Sequence, residues 1–148
     1  MSRLPYTCTF FGHRDTPYEI KPKVKTILKI LIDIYDVKTF YVGNQGNFDS
    51  FVKNVLEELL TEYADIRYYV VLAYMPKVKN GYKCLDNTIF PNEIETIPPK
   101  YAIIKRNKWM IAKADYVVTY VKYGFGGAAI FKEYAEKAGK TVINTYEN

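Results

Sequence analysis

A glycine-rich turn, Gly124-Phe125-Gly126-Gly127, carries the clearest chemical signal in the sequence. It follows a run of apolar and β-branched residues, Tyr116 to Val121, which predicts a buried strand, and a helix is predicted to begin near Ala128. Glycine lets the backbone approach a ligand closely, and the free N–H groups at a helix N-terminus favour an anion. The sequence therefore predicts a site for a phosphate or another anion. The turn alone leaves open whether the ligand is cleaved or only held.

A second glycine turn, Gly43-Asn44-Gln45-Gly46, follows another predicted strand, Lys38 to Val42. The helix after it is predicted to run to about Tyr63, with Asp49 or Ser50 as its N-terminal cap. A Gly-x-x-Gly pair is weak evidence by itself, but its position directly after a strand raises its value. The strand–turn–helix unit therefore occurs twice.

The loop Gly12-His13-Arg14 ends the first predicted strand, Tyr6 to Phe11, and contains the only histidine. In a parallel α/β sheet, loops at the carboxyl ends of the strands line the ligand crevice. The alternative is a polar turn in which Asp15 or Thr16 caps a neighbouring element. Both interpretations stay open at this point.

If these segments meet, they surround one crevice. The amides of Gly126, Gly127 and Ala128 are then expected to hold a phosphate, Arg106 to add a planar charged fork, and Tyr123 to stack on a base. The predicted ligand-binding residues are Gly12, His13, Arg14, Gly43, Asn44, Gly46, Asp49, Asp86, Tyr123, Gly124, Gly126, Gly127 and Ala128.

Strand-like and helix-like segments alternate along the chain, which predicts an α/β fold: a doubly wound sheet of about five mainly parallel strands with helices on both faces. Residues 1–148 are expected to form one domain. Periodicity fails from Tyr74 to Pro99, which predicts a long loop. Within it, Asp86 to Pro91 is a candidate flap or partner contact, and the alternative is a surface excursion held by Ile89 and Phe90.

The formal charge of +5 and the pI of about 9.0 suit an anionic ligand. Basic residues are scattered and form no long run, so a small anion is favoured over a nucleic acid, and single-stranded DNA is a third possibility. Cys8, Cys84 and His13 are too few for a structural zinc site, and neither a metal nor a cofactor is expected. No signal region or membrane-spanning run is visible, so we expect a cytoplasmic protein without a membrane partner.

Several motifs together resemble the SLOG superfamily, which is named for the SMF/DNA-processing-A proteins and the LOG (lonely guy) phosphoribohydrolases. The nearest match is to small bacterial and phage members with a Gly-His-Arg first loop. LOG hydrolases carry Arg-Lys-x-x-Met, then an aspartate before a strand, then Pro-Gly-Gly-x-Gly-Thr-x-x-Glu. The matching positions here are Arg106, Asn107, Met110, Asp115, Gly126, Gly127 and Glu133.

This resemblance implies a Rossmann-like fold, a nucleotide-derived ligand and a homo-oligomer, either a dimer or a larger assembly, that pairs through the Tyr101 to Ala114 helix. It also implies a sensor or sequestering protein for a nucleotide signal in bacterial defence or phage counter-defence.

The alternative is an enzyme that hydrolyses the N-glycosidic bond of a nucleoside monophosphate. Arg106 and Glu133 would then be catalytic, with the Glu133 carboxylate stabilising the ribosyl cation or activating water. A simpler interpretation of Glu133 is a surface residue paired with Lys137 at i,i+4 spacing. The LOG motif is changed at four positions, which favours binding over hydrolysis: Asn107, Phe125, Ala129 and Ile130.

Overall fold

The computed structural model describes residues 5–74 and 87–146. Its strands are β1 (Tyr6–Gly12), β2 (Val37–Val42), β3 (Arg67–Val71), β4 (Thr88–Ile89), β5 (Tyr116–Tyr120) and β6 (Thr141–Asn144). Its helices are α1 (Lys21–Asp33), α2 (Gly46–Leu60), α3 (Asn92–Glu95), α4 (Pro99–Lys113) and α5 (Gly127–Lys137).

All strand pairs are parallel, and the strand order is β4-β3-β2-β1-β5-β6. The chain builds outward from β1 in one direction through β2 and β3. It then crosses back, so that β5 pairs with the other side of β1 and Gly12 lies opposite Tyr120. A ligand crevice is expected where the order reverses, outside the carboxyl ends of β1 and β5.

Helices cover both faces of the sheet, and the side chains of β1 point alternately to one face and to the other. Cys8 and Phe10 are buried in the core that includes the apolar faces of α1 and α2. Phe11, the next residue after Phe10, packs in the second core with residues of α4 and α5. Alternation along the strand places successive side chains on opposite faces, so both faces of a central strand are apolar.

The doubly wound α/β fold is confirmed, with six strands where the sequence predicts about five. The additional strand is β4, which lies in the segment predicted as a long loop. Two residues are too few to show the period of two that marks a strand. Backbone bonds to the neighbouring strand define it instead: the N–H of Val70 donates to the Asn87 carbonyl and that of Leu72 to the Ile89 carbonyl, both at 2.8 Å. Asp86 lies outside the described residues.

The start of α2 differs from the prediction, because its N-terminal cap is Gln45 and not Asp49 or Ser50. Asp49 lies inside the helix, one turn further along. Its carboxylate reaches back to accept the backbone N–H of Gln45 at 2.9 Å. A short acidic side chain near a helix start can satisfy free N–H groups from within the helix as well as from before it.

None of the helices in the described ranges is both long and apolar enough to cross a membrane.

Gly12 is expected to be intolerant of a side chain. A Cβ at this position would lie 2.2 Å from Cγ of Phe48, whose side chain is fully buried. Gly12→Ala should therefore lower the free energy of unfolding by about 1–3 kcal/mol, measured by urea denaturation. Gly124→Ala is the control, since a Cβ there meets no atom within 4 Å. Equal stability of the two variants would contradict the packing described here.

Candidate functional site

A cavity of about 250 Å³ lies at the carboxyl end of β1, where the strand order reverses. The N-terminal turns of α2 and α5 and one side of α4 form its walls. The residues that line it are Phe10, Phe11, Gly12, His13, Arg14, Gln45, Asp49, Ile103, Arg106, Asn107, Met110, Gly127 and Ala128.

Arg106 contributes a buried charge to this cavity, with only 3% of the residue exposed. Its Nε donates to Oδ1 of Asn107 at 2.8 Å, and its Nη1 donates to the carbonyl of Val71, the last residue of β3, at 3.1 Å. Burial lowers the pKa of the guanidinium, while the negative charge of Asp49 raises it. An arginine keeps its charge in proteins, so the cavity contains a fixed cation.

Asp49 is the acidic counterpart of Arg106. Burial raises the pKa of its carboxyl to about 6, although the N–H of Gln45 and the charge of Arg106 act to lower it. Both side chains lie beside Gly43. A Cβ on that glycine would lie 2.8 Å from Oδ2 of Asp49 and 3.0 Å from Nη1 of Arg106. The second glycine turn therefore makes room for a carboxylate and a guanidinium.

The N-terminus of α5 supplies free backbone donors. Gly126 precedes the helix with φ of 93°, a conformation that favours glycine, and its carbonyl accepts the N–H of Ile130 at 3.1 Å. The amides of Gly127 and Ala128 lie ahead of that first helical hydrogen bond, where a helix has no internal acceptor for them. Both residues line the cavity. Their position suits an anion.

His13 connects the first loop to the turn before α5. Its Nε2 accepts the backbone N–H groups of Lys122, at 3.0 Å, and Tyr123, at 3.2 Å. The imidazole ring also lies 5.0 Å from the Tyr123 ring, which stacks on Phe125 at 5.3 Å. Because Nε2 is engaged with the main chain, His13 positions the turn in this structure.

The mouth of the cavity is polar. Arg14 is exposed there, and its Nη2 donates to Oε1 of Gln45 at 3.2 Å. Its carbonyl accepts the N–H of Asn47 at 3.0 Å. Gly46 has φ of 81°, and a Cβ on it would lie 2.8 Å from the Arg14 Cα. This close approach fixes the first loop against the start of α2.

Six of the thirteen predicted ligand-binding residues line the cavity, and so does Arg106, which was predicted to be catalytic. Gly43, Gly46 and Gly126 shape the backbone around the cavity without lining it. Asn44 is exposed and also does not line it, and Tyr123 and Gly124 belong to the adjacent turn. The predicted residues that line the cavity are Gly12, His13, Arg14, Asp49, Arg106, Gly127 and Ala128.

Glu133 lies apart from these residues. It follows the buried Phe131 by two positions, which on a helix is a rotation of about 200° and turns it away from the core. Its Oε1 pairs with Nζ of Lys137 at 2.9 Å, and both side chains are exposed. The hydrogen bond from Lys137 lowers the pKa of the carboxyl. In this conformation Glu133 forms a surface pair with Lys137, the simpler of the two interpretations drawn from the sequence.

The sequence-based set omits several residues of the cavity wall, including Phe10, Phe11 and Gln45. On α4, Arg106 was predicted as a site residue, while Asn107 and Met110 were matched only to the LOG motif and Ile103 was not assigned to the site. Spacing contained a signal for them, because the four residues at i, i+3, i+4 and i+7 share one face of a helix. The four are Ile103, Arg106, Asn107 and Met110.

No group of three or more His, Cys, Asp or Glu side chains in the described part of the chain could hold a metal ion. Burial raises the pKa of the Cys8 thiol. A buried, protonated thiol behaves as a small apolar side chain and not as a ligand or nucleophile. Cys84 lies outside the described residues.

No protein-family model matches this sequence, and no curated protein matches it either. The resemblance to the SLOG superfamily therefore stays a prediction.

Asp49 should make stability depend on pH. Its pKa of about 6 in the folded protein lies above the ordinary aspartate value of about 3.9, so the folded state binds an extra proton between these two values. Its contribution to stability is therefore lost as pH rises from about 4 to about 6. Over that range, Asp49→Asn should become more stable relative to the wild type by about 1–3 kcal/mol in denaturant titrations.

The matched control is Asp65→Asn, since Asp65 is exposed and its pKa is lowered by a hydrogen bond from Lys38. This control should not show the gain at higher pH. A stability difference for Asp49→Asn that stays constant from pH 4 to pH 7 would contradict the buried, proton-binding carboxyl.

His13→Ala should loosen the turn before α5, because the N–H groups of Lys122 and Tyr123 lose their shared acceptor. We expect hydrogen exchange at these two amides to accelerate by about two- to tenfold, the range for losing one ordinary hydrogen bond. The amide of Thr145, which donates to the Thr119 carbonyl at 2.7 Å, serves as the internal reference. Unchanged exchange at both amides would show that His13 does not hold the turn.

Proposed function

We propose that this protein binds a nucleotide or a nucleotide-derived small molecule in the crevice and holds it intact, as a sensor or sequestering protein. The observation that carries the proposal is the meeting of an anion-binding helix start and a buried, directional hydrogen-bond donor in one cavity at the sheet's switch point. These are the free amides of Gly127 and Ala128 and the buried guanidinium of Arg106.

The phosphate is assigned to the N-terminus of α5. The amides of Gly127 and Ala128 provide donors, and the helix dipole provides a favourable field. A Cβ at Gly126 or Gly127 would meet no protein atom within 4 Å, so this backbone is open to a ligand. Arg14 at the mouth and the net charge of +5 add long-range attraction for an anion.

The remainder of the cavity suits a ring system with polar edges. Phe10, Phe11, Ile103 and Met110 provide apolar wall, while Gln45, Asn107, Asp49 and Arg106 provide a few polar groups. Most small-molecule sites combine these two features. At about 250 Å³ the cavity is slightly smaller than the usual range of about 300–1,000 Å³ for ligand pockets, which favours a mononucleotide-sized ligand over a dinucleotide.

Cleavage of the N-glycosidic bond is the second candidate, and the position of Glu133 does not favour it. Hydrolysis needs a carboxylate near the sugar, but Glu133 pairs with Lys137 on the exposed side of α5. Among the described residues that line the cavity, Asp49 is the only one with a carboxylate. Analysis of the recovered ligand separates the two functions: intact nucleotide supports binding, and released free base supports hydrolysis.

The proposed setting, a nucleotide signal in bacterial defence or phage counter-defence, is supported by the resemblance to SLOG proteins. Assembly into a dimer or larger homo-oligomer is proposed on the same basis. Tyr101 and Ile104 on α4 are 51% and 45% exposed, and one helical turn separates them. Gel filtration of the purified chain tests the proposed assembly, and elution as a monomer would overturn it.

Removal of one amide tests the phosphate site. Gly127 is the first residue of α5, where proline fits a helix because the N–H has no helical acceptor. Gly127→Pro therefore deletes a single donor while preserving the helix. Calorimetric affinity for guanosine or adenosine 5′-monophosphate should fall about tenfold or more, as expected for a hydrogen bond to a charged group.

Gly127→Ala is the matched variant, because it adds the same Cβ and retains the N–H. The difference in affinity between the alanine and proline variants therefore reports the replacement of the N–H by the proline ring, apart from any effect of the Cβ. Equal affinities would remove the phosphate from this position, and no binding of either nucleotide by the wild type would refute the proposed function.

A further inference from the structure

Asp49 and Arg106 form an incomplete pair in the wall of the crevice. Arg106 donates hydrogen bonds to the Asn107 side chain and to the Val71 carbonyl, and Oδ2 of Asp49 accepts one from the Gln45 N–H. Yet Oδ2 of Asp49 and Nη1 of Arg106 lie within 3.0 Å of the same point, the position of a Cβ on Gly43. The two charged groups are neighbours that each direct these bonds to other partners.

The carboxylate of Asp49 and the guanidinium of Arg106 are both largely removed from water in the wall of the crevice. Asp49 is 7% exposed and Arg106 is 3% exposed, and both line the cavity. Taking a charge out of water is costly unless good hydrogen bonds replace the water. A carboxylate offers about four acceptor sites and a guanidinium five donors, so the pair retains capacity for further bonds.

We infer that Asp49 and Arg106 together recognise an uncharged edge of the ligand that carries a hydrogen-bond donor beside an oxygen acceptor. The donor faces the Asp49 carboxylate, and the acceptor faces the Arg106 guanidinium. This inference rests on the proposed nucleotide-binding function and specifies which part of the ligand Asp49 and Arg106 recognise.

The charges around the pair support an uncharged edge there. Asp49 and Arg106 together carry no net charge, and the further cation that acts on Asp49, Lys53, does not line the cavity. A phosphate placed against Asp49 would be repelled by the carboxylate, whereas the amides at the start of α5 offer donors alone. The ligand is thus oriented with its phosphate at α5 and its neutral edge at the pair.

Two parts of a nucleotide present this chemistry. A 6-oxopurine carries an N1–H donor beside its O6 acceptor, and arginine commonly bonds the O6 of guanine. A ribose hydroxyl both donates and accepts through one oxygen. The shared chemistry is a donor adjacent to an acceptor, and the ligands chosen for the test separate the two sources.

The test compares three nucleotides by calorimetry at about pH 7.5, where a carboxyl with a pKa of about 6 is ionised. The three are guanosine 5′-monophosphate, adenosine 5′-monophosphate and 2′,3′-dideoxyguanosine 5′-monophosphate. Readout of a base edge predicts that the guanine nucleotide binds about tenfold or more tightly than the adenine nucleotide. Readout of ribose predicts equal affinities for these two and a similar loss for the dideoxy compound.

Asp49→Asn should reduce whichever preference the wild type shows to less than about twofold, since it replaces an acceptor-only carboxylate by an amide that also donates. Asp65→Asn, the same substitution on an exposed aspartate paired with Lys38, should retain the preference. Arg106→Lys is a second variant, which keeps the charge but loses the planar fork, and it should lose the preference as well. Circular dichroism checks that each variant is folded.

Wild-type protein that binds all three nucleotides with equal affinity would overturn this inference and leave the proposed function standing. Folded Asp49→Asn or Arg106→Lys with an undiminished preference would do the same. Failure of the wild type to bind any of the three would overturn both.

Discussion

The buried guanidinium of Arg106 is the constraint on which the crevice depends. A charge at this depth is tolerated only where fixed acceptors surround it. Its two acceptors are the Val71 carbonyl at the end of β3 and the side-chain oxygen of Asn107 on α4, and the negative charge of Asp49 on α2 adds a favourable field. Arg106 therefore connects the carboxyl end of the sheet to two helices. Gly43 has no side chain, which leaves room for the side chains of Arg106 and Asp49.

The topology places the free helix ends beside this charge. Because the strand order reverses at β1, the helices after β2 and β5 both begin near the end of β1. The loop after β1 then contacts both, through the Arg14 carbonyl on the α2 side and the His13 imidazole on the α5 side. Gly43 and Gly46 allow the close contacts at the start of α2, and Gly126 allows the turn before α5. Together with the first loop they form a concave surface with hydrogen-bond donors on several sides.

Much of this arrangement could be predicted from local sequence signals. Glycines after strands and a polar loop after the first strand identified the turns, and runs of apolar, aromatic and β-branched residues identified the central strands. Interactions between distant residues could not be predicted in this way. The burial of Arg106 depends on Val71, which lies 35 positions away, and β4 exists only because β3 lies beside it. Asp49 was predicted as a cap, and its role opposite Arg106 became visible only in three dimensions.

A crystal structure of the protein with guanosine 5′-monophosphate is the most decisive test of nucleotide binding in the crevice. We expect phosphate oxygens within hydrogen-bond distance of the Gly127 and Ala128 amides, with the remainder of the nucleotide in the cavity beside Arg106. A nucleotide bound elsewhere on the protein, or a crevice that stays empty at saturating nucleotide, would contradict it.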